Sequence, residues 1–212
     1  MNKPKKINEN KWKRKEVSDY FARLDEPCFT IVSPLNVTKL ATYTEINGIS
    51  FYYALIYLSI KTMESVEEFH YKLREDGLYY YDELVPLFTD YEDDNDLFIT
   101  GTELKKDESM IDFCKSVKKM ADSHKDFYTN KTGCDKDQLV FVSCLPLIAI
   151  TSIDEAHGFD KNDSIPHIFW GKIISTNGQK TLNYEVQANH RLVDGYQISK
   201  FLNELQINID KL

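Results

Sequence analysis

An excess of basic charge, paired cysteines and long apolar runs are all missing from this 212-residue chain, and each absence removes a class of function. Acidic residues outnumber basic ones by 34 to 26, for a formal net charge of −8. A surface of that sign lacks the basic patch that a phosphate backbone requires, so nucleic acid is not an expected partner. The four cysteines (Cys28, Cys114, Cys134, Cys144) contain no Cys-x-x-Cys pair, which indicates free thiols and neither a zinc ribbon nor a disulfide framework. Cys144 beside Ser143 reads as a small buried apolar residue, not a nucleophile. The longest apolar stretch, Phe51 to Ile60, is too short to span a bilayer. The basic start, Lys3-Pro4-Lys5-Lys6, leads into Ile7-Asn8-Glu9-Asn10 and not into an apolar segment, so no signal peptide is read. A soluble, cytoplasmic chain without membrane contact is the expectation.

What is present is material for one sizeable core. Hydrophobic residues make up 42% of the chain, enough for a single domain over residues 1–212, with 1–11 as a poorly structured N-terminal arm. Trp12, Glu16, Tyr20 and Leu24 recur at helical spacing, which predicts a helix over Trp12 to Leu24. Cys28 to Leu35 reads as a strand closed by Ser33-Pro34. Val37 to Thr44 reads as a short helix, and Ser50 as the N-cap of an apolar core helix from Phe51 to about Ser65. Three aromatic-rich segments (Gly77 to Tyr81, Pro86 to Thr89 and Leu97 to Thr100) read as neighbouring strands or hairpin arms. The acidic run Asp90 to Asp96 has its glycine and terminal glutamate in the wrong places for a calcium loop, so a solvated loop and no metal site are expected.

Glu108 to Phe127 carries one apolar face, the pattern of an amphipathic helix. Lys131 to Asp137 reads as a loop, and Gln138 to Ser143 as a buried strand. Ile165 to Ser175 and Lys180 to Ala188 flank Asn177-Gly178, a strong hairpin signal. After Gly195, Ile198, Phe201, Leu202, Leu205 and Ile209 mark a C-terminal helix. Helices interspersed with hairpin-connected strands predict an α+β fold, a two-layer sandwich of a mixed β-sheet with helices packed on one face.

The stretch Asn189-His190-Arg191-Leu192-Val193-Asp194-Gly195 joins the last hairpin to the last helix. Its His190 is the side chain best suited to take a proton from a hydroxyl and return it. Asp194 can equally be an N-cap. His70, His124, His157 and His167 have no comparable context and read mostly as surface or packing residues.

The His-x-x-x-Asp-Gly pattern resembles the signature of the chloramphenicol acetyltransferase family, and its His-Arg-x-x-Asp-Gly form that of the dihydrolipoyl acyltransferase cores. Three further blocks resemble the first family in order. They are Trp12-Lys13-Arg14-Lys15-Glu16, then Asp76-Gly77 through Tyr81-Asp82 with Pro86, then Phe141-Val142-Ser143-Cys144-Leu145-Pro146 with the Pro166 and Lys172 spacing. The resemblance covers about Trp12 to Gln206 and implies a coenzyme A-dependent acyltransferase-like fold, assembled as a homotrimer with active sites at subunit interfaces. The implied reaction moves an acetyl group from acetyl-coenzyme A to a hydroxyl of chloramphenicol, with no metal. His190 would then be the general base, Ser143 the oxyanion donor, Asp194 and Arg14 a pair holding the histidine turn, and Lys172 a residue along the coenzyme A channel.

The acceptor pocket implied by the same resemblance comprises Tyr20, Phe21, Phe98, Asn130, Ile153, Glu155, His157 and Phe169. Here the chain departs from the family pattern. Asn189 replaces a second histidine, Tyr20-Phe21 lacks a hydroxyl at its second position, Phe169 replaces a threonine, and Asn130, Glu155 and His157 stand at apolar positions. Unpaired polar groups facing a nitrophenyl ring are unfavourable, so chloramphenicol is expected to be a poor acceptor. Two alternatives remain open: an acyltransferase for another hydroxylated small molecule, and a catalytically weak small-ligand-binding relative. The dihydrolipoyl reading is disfavoured because no lipoyl domain or flexible linker is seen before the core.

Overall fold

The computed structural model describes residues 3–92, 96–105, 107–123, 128–130, 134–154 and 160–212. Along the chain these form β1 (Lys5–Lys6), α1 (Lys15–Phe21), β2 (Cys28–Asn36), α2 (Thr38–Asn47), α3 (Phe51–Met63), β3 (Tyr71–Arg74), β4 (Gly77–Tyr80), β5 (Val85–Glu92) and β6 (Asp96–Gly101). Then follow α4 (Met110–Ala121), β7 (Tyr128–Asn130), β8 (Leu139–Leu145), β9 (His167–Gly171), β10 (Ile174–Thr176), β11 (Gln179–Asn189) and α5 (Gly195–Asp210).

Among the described residues the main sheet has eight strands: β11 is flanked by β2 on one side and by β9 and the short β10 on the other, and beyond β9 come β8, β5, β6 and β7. The β2–β11, β9–β11 and β5–β6 ladders are antiparallel, whereas β8–β9, β5–β8 and β6–β7 are parallel, so the sheet is mixed. One face carries alternate residues of the strands, including Leu182, Tyr184 and Val186 of β11 and Ile168 and Trp170 of β9. These bury against Leu40 of α2, Leu55 and Ile56 of α3, Phe113 and Val117 of α4, and Phe201 and Leu205 of α5. Period-2 strands meeting period-3.6 helices thus produce the expected α+β sandwich. The opposite face holds a smaller cluster of Val85, Leu87 and Leu139, with Phe141 and Ile165 packed on it.

Asn177 and Gly178 take φ angles of +50° and +80° and join β10 to β11 in a tight hairpin, the left-handed geometry that an Asn-Gly pair accommodates. Ser50 accepts a hydrogen bond from the Tyr53 amide and starts α3.

Several elements differ from the sequence expectation, each for a tertiary reason. The N-terminal arm is tied down: Lys5 and Lys6 pair with β4, and the Ile7 amide donates to Leu78 O at 2.8 Å. The helix expected from Trp12 begins only at Lys15. Trp12 leaves it to pack against Tyr71, with ring centroids 5.5 Å apart. Strand β2 runs through Pro34 to Asn36, because among the described residues β2 is an edge strand and an edge tolerates a missing amide.

Gly77 to Tyr80 is not a neighbour of β5 and β6; it belongs to a separate sheet ordered β1-β4-β3. Asp90 to Glu92 lie on β5 and Asp96 opens β6, so these parts of the acidic run are strand, while residues 93–95 lie outside the described residues; Tyr53 donates its phenol hydrogen to Asp90. The arm expected over Ile165 to Ser175 is broken between β9 and β10. Trp170 pairs with Tyr184 but Ile174 with Thr181, so the three residues 171–173 stand opposite two and the strand bulges there.

Candidate active site

His190 follows directly on the last residue of β11. Its amide donates to Pro27 O at 2.8 Å, which ties the turn to the start of β2. The imidazole lies between two phenyl rings, stacked on Phe21 of α1 at 3.8 Å and on Phe29 of β2 at 4.3 Å between centroids. Nδ1 is buried and finds no hydrogen-bond partner among the described residues. Nε2 is the nitrogen left to meet a substrate. Phe29 was not singled out from the sequence. Its only local signal is alternation within β2, which says that it points to the helix side and not that it meets a histidine.

Asp194 is the N-cap of α5. Its carboxylate accepts from the Tyr196 amide at 2.8 Å, and the Gln197 side chain returns a bond from the Asp194 amide, closing a capping box. Its second oxygen accepts from Arg14 Nη1 at 3.0 Å, across 180 residues of sequence. The pair is sheltered, with side-chain exposures of 15% for Arg14 and 33% for Asp194. Burial works against the Asp194 charge, but the hydrogen bonds from Arg14 and Tyr196 outweigh it and hold the carboxyl below its ordinary pKa. Neither residue bonds the imidazole Nδ1; both act on the loop that carries it.

Asn189, expected at the acceptor end, turns the other way. Its Nδ2 donates to Asp163 O at 2.7 Å and to Lys161 O at 3.1 Å, and its Oδ1 accepts from the Arg191 amide at 3.0 Å.

Ser143 sits mid-strand on β8, on the sheet face away from the helices. Its hydroxyl shares a 2.9 Å hydrogen bond with Thr89 Oγ1 of β5, and the Thr89 carbonyl accepts from the Tyr52 phenol at 2.6 Å. Ser143 pairs with Phe169, and Phe169 with Glu185 of β11. His190 is therefore two strands across and five residues further along. At about 4.8 Å per strand and about 3.4 Å per residue, the two Cα atoms are roughly 20 Å apart. A single chain does not bring His190 and Ser143 together. Burial pushes the adjacent Cys144 thiol up to about 11, in keeping with a packing role.

The other residues divide. Phe21 is on the imidazole, and Tyr20 packs edge-on to Phe21 at 5.2 Å while remaining 62% exposed. Phe169 is buried beside Ser143. The Ile153 amide donates to the Glu185 carboxylate at 2.9 Å, and burial raises the pKa of that carboxyl. Lys172 is exposed at the bulge, its amide donating to Ile148 O at 2.7 Å. Phe98 and Asn130 lie on β6 and β7, and their side chains fall outside the described set. Glu155 and His157 lie outside the described residues. Among the described residues no group of acidic, histidine and cysteine side chains is placed to hold a metal ion, and no helix is long and apolar enough to cross a membrane.

A family model described as chloramphenicol acetyltransferase matches residues 1–206. Over 209 residues the chain is 28% identical to a chloramphenicol acetyltransferase of Clostridioides difficile, covering 95% of this chain and 93% of that protein. Over 204 residues it is 26% identical to one of Staphylococcus aureus, covering 94% and 96%. Its fold is similar to that of a solved chloramphenicol acetyltransferase, with a TM-score of 0.85 at 19% identity over 98% of this chain and 100% of that one. It is also similar to a probable dihydrolipoamide acetyltransferase from Listeria monocytogenes, with a TM-score of 0.66 at 12% identity over 99% and 95%.

Proposed function

The chain belongs to the chloramphenicol acetyltransferase family, and from that premise we propose that it is an acyltransferase moving the acetyl group of acetyl-coenzyme A to a hydroxyl of chloramphenicol. The observation that carries this reading is the clamped imidazole, one nitrogen buried and the other available, at the end of a loop pinned by Arg14 and Asp194. A thioester is already activated, so the reaction needs a base, an oxyanion donor and two aligned substrates.

His190 Nε2 takes the proton of the acceptor hydroxyl as its oxygen attacks the thioester carbonyl. The tetrahedral oxyanion accepts a hydrogen bond from Ser143. Collapse expels the coenzyme A thiolate, which recovers the proton from His190. The roughly 20 Å between the Cα atoms of these two residues within one chain is what favours an interface site, with His190 of one subunit facing Ser143 of another in a homotrimer. Lys172 lies along the coenzyme A channel, and Tyr20, Phe21, Phe98, Asn130, Ile153, Glu155, His157 and Phe169 shape the acceptor pocket. The whole chain acts as one catalytic domain, in the cytoplasm, as an antibiotic-resistance enzyme.

A different hydroxylated acceptor is the second reading. Glu185 favours it, a buried carboxyl paired with Phe169 on the sheet face that carries Ser143. The test follows coenzyme A thiol release with chloramphenicol and then with a panel of alcohols, for wild type and His190→Ala. Acceptor-dependent release that falls by about 10² to 10⁴ in the variant is expected. No release with any acceptor would leave a ligand-binding relative instead.

A further inference from the structure

Among the described residues no carboxylate or carbonyl of another residue bonds the His190 imidazole to orient it. Nδ1 is buried and unpartnered, and Asp194 is engaged with Arg14 and the Tyr196 amide. The direction of the ring is left to stacking on Phe21 and Phe29 and to the backbone on either side of residue 190. That backbone is tied to the start of β2 by the His190 amide on Pro27 O, and one side chain grips it on either side of the histidine. Asn189 is buried at the end of β11, and its amide group bonds the main chain of Lys161 and Asp163 before His190 and takes the Arg191 amide after it. The Asn189 carbonyl in turn accepts from the amides of Leu192 and Val193, at 3.0 Å each.

The segment it grips, residues 160–164, is itself anchored. Ser164 Oγ accepts from the Leu73 amide at 2.8 Å and donates to Asn162 O at 2.7 Å, while Lys72 Nζ donates to Ser164 O at 3.0 Å. Arg191 adds a bond to Asn162 Oδ1 at 2.7 Å. The turn bearing the base is thus fastened through residue 189 to a fixed part of the β3 region.

We propose that Asn189 is a positioning residue for His190, holding the imidazole at its attack angle by clamping the main chain on both sides of it to the 160–164 segment. This rests on the acyl-transfer reading above. Neither partner of Nδ2 is a side chain, so the clamp requires an uncharged group that donates twice and accepts once, which an asparagine amide supplies.

The test compares Asn189→Ala and Asn189→Asp with wild type and His190→Ala, using acetyl-coenzyme A and chloramphenicol, with thermal midpoints recorded for all. A misplacement of about 1 Å at a reacting group lowers rate by about 10²-fold. Asn189→Ala should therefore lower kcat by about 10 to 10² with KM for acetyl-coenzyme A within about threefold of wild type.

Asn189→Asp keeps the shape and the acceptor toward Arg191 but sets a carboxylate against two carbonyl oxygens. Its kcat relative to wild type should rise as pH is lowered from about 8 to about 5.5, where a protonated carboxyl can donate. The same ratio for Asn189→Ala should stay flat. A loss of stability alone would not produce that opposed pH response. Should Asn189→Ala fail to fold, the isosteric Asp variant carries the test. Wild-type kcat in both variants, or a flat ratio for Asn189→Asp, overturns the proposal while leaving the enzyme reading intact. Absence of acceptor-dependent release from wild type overturns both.

Discussion

Lys72 on β3 is fully buried, and among the described residues its ammonium has one neutral partner, the Ser164 carbonyl at 3.0 Å. Burial, only partly opposed by Asp137 and Asp163, pushes its pKa from 10.5 down to about 7. Its folded-state pKa lies below its unfolded one, so between those values the unfolded chain binds more protons and stability must rise with pH. The penalty is fully present below about pH 7 and gone above about pH 10.5. The difference between those two values is worth roughly 5 kcal/mol at about 1.4 kcal/mol for each tenfold change in proton affinity.

Lys72→Met removes that penalty and leaves the Ser164 carbonyl without its donor, a loss of about 2 kcal/mol. The variant should therefore be more stable than wild type by about 3 kcal/mol near pH 6. The gain should shrink by about 1.4 kcal/mol per unit above pH 7 and change sign near pH 9. Urea unfolding of both proteins at one protomer concentration, at several pH values between about 6 and 9.5, measures the difference. A variant destabilised equally at every pH would show that Lys72 is a well-solvated or well-paired cation and would refute the reasoning.

Two further outcomes follow from the sheet. Ser143→Ala should lower kcat by about 10² to 10³ if the hydroxyl stabilises the oxyanion. Its thermal midpoint should hardly move, because the side chain's one hydrogen bond among the described residues is to Thr89; thiol release and a melting curve together check this, and unchanged kcat would refute the assignment. Gly171→Ala would place a methyl group 2.8 Å from Ile148 O and Ile150 N, both backbone atoms that cannot step aside. A destabilisation of about 1–3 kcal/mol is expected in the same urea assay, and tolerance of alanine would mean that the 148–150 segment is free to shift.

The parts of the fold readable in the sequence were those whose cause lies within a few residues. The Asn177-Gly178 turn, the Ser50 cap, the apolar stripe of α5 and the change of period from β11 to α5 are of this kind. The N-terminal arm and Pro34 misled because the local pattern reports a residue's preference and not its neighbours. Lys5 and Lys6 become strand only because β4 offers an open edge, and Pro34 is tolerated only because β2 ends the sheet. The candidate site was half legible. A histidine before Asp194-Gly195 could be named, but the rings that hold it and the backbone that Asn189 grips could not.

From its residues alone this chain determined its fold class, its family resemblance and the histidine on which a chemical proposal can rest, since periodicity, turn chemistry and short motifs are local properties. Tertiary structure alone decided that Phe29 and Phe21 close on His190, that Asn189 faces inward to residues 161 and 163, and that Ser143 stands roughly 20 Å from the base it is proposed to serve. Those outcomes depend on which strands pair and in what register. Burial and hydrogen-bond satisfaction settle register across the whole sheet, and no window of the sequence contains it.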